Sequence, residues 1–138
     1  MSKTINIVSW VFRIAIAAIF LQTLFFKFSG AEESINIFRK VAGTEMEPFA
    51  RIGSGIGELI AAILIIIPKT RVYGAILSVF VISGAILSHL TILGIEVMDD
   101  GGLLFILACT VFVLSLAVIY IHRAEFPFVG NVSVDDPE

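Results

Sequence analysis

The sequence predicts an all-α membrane protein: a membrane four-helix bundle with a short amphipathic surface helix between the first two spans. Three observations carry this reading. Of the 138 residues, 58% are hydrophobic and 15% charged, whereas a soluble chain holds about one half and one quarter. The mean hydropathy is +1.02. The apolar residues gather into four runs, about 11–28, 49–67, 72–95 and 103–121, each close to the ~20 residues that cross a hydrocarbon core.

The first run, Val11–Phe28, follows Trp10, which fits an interfacial anchor. Ser29-Gly30-Ala31 loosely resembles a small-residue cleavage site, but the run is long for a signal core, so it reads as an uncleaved span. The connection after it is long. It places Ile35, Phe38 and Ala42 at helical spacing among Glu32, Glu33, Arg39 and Lys40. That pattern predicts a short helix lying on the membrane, the alternative being a loop with one helical turn. The second run ends at Pro68, and the tight turn PKTR starts the third. EVMDDGG links the third and fourth. Residues 1–123 form one four-span domain, and 124–138 a short acidic tail.

Lys and Arg placement gives the orientation. With four spans, Lys3, Arg13, Lys69, Arg71 and Arg123 share one side. Lys27, Arg39, Lys40 and Arg51 lie on the other, offset by acids. The positive-inside rule then puts both termini in the cytoplasm, in a bacterial inner membrane.

Several functions find no support. The net charge is −3 with scattered bases, so there is no nucleic-acid footprint. Cys109 is the single cysteine, which removes intrachain disulfides, CxxC pairs and thiolate metal clusters, and it reads as a small buried apolar residue. No metal site is predicted. His89 and His122 fall at different depths, which argues against a bis-histidine haem, and no Ser-His-Asp arrangement has an obvious geometry. No catalytic motif or redox cofactor signature marks an independent enzyme.

The polar residues inside the runs carry what remains. Stepping 100° per residue from Glu58, Arg51, Ser54 and Ala62 fall within about 40° and Gly55 and Ala61 about 60° away, while Ile60, Ile63 and Ile67 face the opposite side. In the third run His89 shares a face with Ala75, Ser78, Ile82 and Ala85. Glu58 is near the middle of its run, and His89 roughly 9 Å outward of the middle of its own. Lys27 and Arg51 sit at the outer ends of theirs. Glu58, His89, Lys27 and Arg51 are therefore the ligand-binding candidates, converging in the outer half of one bundle. An intramembrane carboxylate marks function by default; the other reading is a structural pair with Arg51, His89 or a hydroxyl. Lys27 also has the option of snorkelling to the headgroups. Gly53 and Gly57 form a GxxxG, and Gly74 and Gly84 thin the third helix, which predicts close helix packing.

The segments FRIAIAAIFLQTLFFKFSGA, GSGIGELIAAILIIIPKTRVYGAIL, SGAILSHLTILGIEV and DGGLLFILA resemble the DoxX-like membrane proteins from Arg13 to about Arg123. The resemblance implies a four-helix bacterial inner-membrane protein of unassigned activity, linked in some members to quinone chemistry and redox complexes. The first functional expectation is a cavity that opens outward and binds a quinone-like or other small amphipathic ligand, with no other cofactor evident. In it Glu58 and His89 would handle a ligand proton, and Lys27 and Arg51 an anionic form. The others are a small-solute transporter, which would favour a homo-oligomer, and a non-catalytic assembly subunit. The partners implied are the lipid bilayer, redox-complex subunits and further copies of the chain.

Overall fold

The computed structural model describes residues 2–125. The acidic tail beyond Glu125 lies outside the described residues. Among them the fold is all helical, with four helices long and apolar enough to cross a membrane. The elements are α1 (Lys3–Phe28), α2 (Glu32–Ala42), α3 (Glu47–Ile66), α4 (Arg71–Ser88) and α5 (Leu103–Ile121). The spans α1, α3, α4 and α5 form a four-membered ring, each touching its two neighbours. The chain is a multi-pass membrane bundle with the short helix α2 packed mainly on α3.

α1 begins eight residues before the expected Val11. Ser2 caps it, its hydroxyl accepting the Ile5 N–H, so the turn through Lys3 has a start signal that hydropathy does not register. Its buried face is Ser9, Arg13, Ile16, Ala17, Phe20 and Leu24, one stripe at helical spacing. α3 buries Glu58, Ala61, Ala62 and Ile65 and leaves Ile60 and Ile63 44% and 52% exposed. That is the two-faced helix the sequence predicts, with a lipid-facing isoleucine side. Ala75, Ser78 and Ile82 form the buried stripe of α4, and Ala108, Val111, Ser115 and Val118 that of α5.

The close helix contact lies elsewhere than the GxxxG suggested. A Cβ at Gly53 would meet nothing within 4 Å, and one at Gly57 only Val81 at 3.4 Å. At Gly74 it would lie 2.3 Å from the Ile65 backbone nitrogen. Backbone therefore meets backbone where α3 and α4 diverge from the Pro68–Thr70 turn, and only glycine leaves room. The Thr70 hydroxyl closes this turn by donating to the Leu64 carbonyl at 2.8 Å.

α4 continues into a π-helical turn, His89–Leu93, which stops at Gly94 in a left-handed conformation with φ +81°. The Gly94 N–H bonds the His89 carbonyl at 2.8 Å, a five-residue reach. Asp100 starts α5: its carboxylate accepts the N–H groups of Val97, Gly102 and Leu104. Burial opposes its ionisation, but those amides together outweigh burial and hold its carboxyl below the usual range, with His89 contributing.

Candidate functional site

Lys27 sits in the last turn of α1, one turn beyond Thr23, and Ser54 and Glu58 stand one turn apart on α3. Antiparallel packing brings the two pairs together. Lys27 Nζ forms an ion pair with Glu58 Oε1 and donates to Ser54 Oγ at 3.1 Å. The Thr23 hydroxyl donates to Glu58 Oε2 at 2.6 Å. The lysine side chain is 13% and the glutamate 6% accessible. Both carboxylate oxygens thus have a partner, which a buried charge requires.

Arg51 is held apart from this group. Its Nε donates to Glu47 Oε1 at 2.6 Å and its Nη1 to the backbone carbonyl of Lys27. It shares the angular stripe of Glu58 but stands two turns away along the axis, where Glu47 on its own helix is nearer. Its link to the pair is through the Lys27 backbone, whose helix end it fixes.

Beside the ion pair lies a cavity of about 680 Å³ between α1, α3, α4 and α5, covered by α2. Lys27, Glu58 and His89 all line it, with Gln22, Thr23, Glu33, Ser54, Ser88 and Asp100 among the further polar groups in a mainly apolar wall. Arg51 does not line it. α2 turns Ser34, Ile37, Phe38 and Val41 to this cavity, and Lys27 Nζ stands 5.5 Å from the centre of the Phe38 ring. The predicted amphipathic helix therefore exists, and one side of it roofs the space between the spans.

His89 is 6% exposed. Its Nδ1 lies 2.9 Å from the Gly94 carbonyl oxygen, and its ring meets Phe105 edge-on at 5.6 Å. The π-helical turn is what brings the Gly94 carbonyl within reach of this nitrogen. Among the described residues, His89 and Glu58 share the cavity without bonding each other.

A second buried polar group, at the opposite end of the bundle, has no counterpart in the sequence reading. Glu125 Oε2 lies 2.9 Å from His122 Nδ1, so that nitrogen carries the proton and Nε2 accepts the Ser9 hydroxyl at 2.5 Å. Arg71 makes a two-pronged contact to the same carboxylate. Burial, then the nearby Arg71 charge, push the His122 imidazole below its ordinary pKa, and Glu125 only partly offsets this. Arg13 lies fully buried nearby, donating to the Ile65 and Ile66 carbonyls at 2.7 and 2.8 Å and stacking on Trp10 at 3.9 Å. Trp10 thus packs on an arginine of its own helix. Ser9, His122 and Glu125 stand in serine–histidine–carboxylate order, but Ser9 is fully buried and does not line the cavity. The group ties α1, α4 and α5 together.

Cys109 is half-buried on α5 and does not line the cavity. Among the described residues no cluster of three or more His, Cys, Asp or Glu side chains is placed to hold a metal ion.

The family model of the methylamine utilisation protein MauE matches residues 5–101. The match runs through α1 to the Asp100 turn and takes in Lys27, Arg51, Glu58 and His89. It overturns the resemblance to the DoxX-like proteins. The motifs behind that resemblance are apolar runs with packing glycines and a few charged residues, a pattern that lipid solvation and close packing impose on many small bundles. No curated protein and no solved structure matches the chain.

Proposed function

The chain belongs to the MauE family of methylamine utilisation proteins, and on that premise we propose that it serves a methylamine-utilisation system by holding one small amphipathic molecule between its helices. The observation that carries this is the cavity. Its volume of about 680 Å³ falls within the ~300–1,000 Å³ of small-molecule sites. Its wall is mostly apolar, with a few convergent polar groups, the composition such sites need. Methylamine itself, with two heavy atoms, would leave most of it empty, so the ligand of this reading is a larger molecule.

Lys27, Glu58 and His89 are its polar contacts, and Arg51 acts through the Lys27 backbone. A ring-and-tail molecule of the quinone class is the finer form of the reading: Phe20, Phe26 and Phe38 offer aromatic surface beside the polar groups. The protein would work as a subunit beside other membrane components, with both termini cytoplasmic in a bacterial inner membrane. Titrating the purified protein in nanodiscs with decylubiquinone tests the reading. Saturable one-to-one binding that Ala85→Trp removes supports it. Binding unaffected by filling the cavity contradicts it.

A further inference from the structure

The backbone fixes the polarity of the His89 ring in the cavity wall. The Gly94 carbonyl can only accept, so His89 Nδ1, 2.9 Å away, carries the proton. In the neutral imidazole the other nitrogen, Nε2, then bears a lone pair and can only accept. Nε2 has no partner among the described residues, although the ring is 94% buried. The ring is locked as well: its Nδ1 is tied to the end of the π-helical turn, and Phe105 flanks it at 5.6 Å. His89 lines the cavity, so an occupant that supplies a donor to Nε2 gains a hydrogen bond there.

The Glu58 carboxylate in the wall is already satisfied. Glu58 receives Lys27 on one oxygen and Thr23 on the other. His89 Nε2, on a locked and buried ring, is an acceptor still open to a ligand. We propose that His89 Nε2 is a specificity-determining acceptor for a ligand hydroxyl, so that the cavity takes alcohol- or phenol-headed amphiphiles in preference to molecules of the same shape without an O–H donor. Nothing here requires a covalent or redox step. The inference rests on the reading of the cavity as a ligand site and adds the chemistry of the head group.

The test compares 4-decylphenol with 4-decylanisole, which differ by a methyl on the phenolic oxygen. Both are titrated against the full chain in nanodiscs at pH 8. The phenol should bind about tenfold more tightly, the worth of one net hydrogen bond. His89→Phe should bring the two affinities together, which loss of a merely structural histidine would not do. Equal binding of the two probes by the unmodified protein overturns the inference and leaves the cavity reading standing. Binding of neither probe overturns both. Equal binding by the unmodified protein overturns the inference whether or not the His89→Phe chain folds.

Discussion

Lys27 at the end of α1 and Glu58 in the middle of α3 form a buried ion pair across the bundle, and Thr23 and Ser54 complete its hydrogen bonds. The pair answers why an acid interrupts an isoleucine-rich span: it meets a cation from the neighbouring helix at the edge of a cavity.

Removing one partner should cost far more than removing the charge from both. Lys27→Met leaves a buried carboxylate uncompensated and should lower stability by about 3–5 kcal/mol. The double variant Lys27→Met/Glu58→Gln should recover at least half of that loss, since a neutral amide still accepts from Thr23. Unfolding in mixed detergent micelles measures both. A double variant no more stable than the single one would show that the pair's charges are not what holds the site.

The buried His122 sets a pH dependence. Its folded-state pKa lies below the unfolded value of about 6.5. The unfolded chain therefore binds more protons in that range, and stability falls as pH drops from about 6.5 through the folded value. Asp100, whose pKa is also lowered, loses its contribution only at much lower pH, in the carboxylate range. The unfolding temperature should fall between pH 7.5 and 5.5, and His122→Asn should flatten the curve. A wild-type curve that is flat over this interval, or rises toward acid, contradicts the assignment.

Glycine position should matter more than glycine pattern. Gly74→Ala forces a methyl against the Ile65 backbone and should cost about 1–3 kcal/mol or more. Gly53→Ala meets open space and should be neutral or stabilising by up to about 1 kcal/mol. The same micelle unfolding assay ranks them, and the reverse order would refute the α3–α4 contact.

α2 should respond to an occupied cavity. Ser34, Ile37, Phe38 and Val41 line its roof, so decylubiquinone should slow hydrogen exchange across 34–41 and in the 89–94 turn. The second half of α5, whose residues do not line the cavity, should stay unchanged. Uniform protection, or none in α2, would place the ligand elsewhere.

Much of the fold was legible because lipid is a demanding solvent. A span must be apolar for about 20 residues, and an ionisable residue must face inward, so α3, α4 and α5 and the faces of Glu58 and His89 could be read directly. α1 was cut short because hydropathy does not register a serine cap. Face and depth group Arg51 with Glu58, but neither shows that its guanidinium reaches Glu47 and the Lys27 carbonyl. The Ser9–His122 contact joins residues 113 positions apart, and no local pattern announces such a pairing. His89 was recognised by face and depth, but the tautomer that gives it a role depends on a π-helical turn that periodicity cannot show. The family was misread because packing glycines and a few charged residues recur in many small bundles.

The cavity beside Lys27 and Glu58 should hold an amphipathic molecule in the native membrane. Native mass spectrometry of the protein released from its own membranes tests this most directly, with Ala85→Trp as the filled-cavity variant and Phe80→Trp as the control, since Phe80 is 75% exposed on the lipid side. One retained small molecule per chain is predicted in the wild type and in Phe80→Trp, and none in Ala85→Trp. Equal retention in all three, or none in the wild type, would contradict the account.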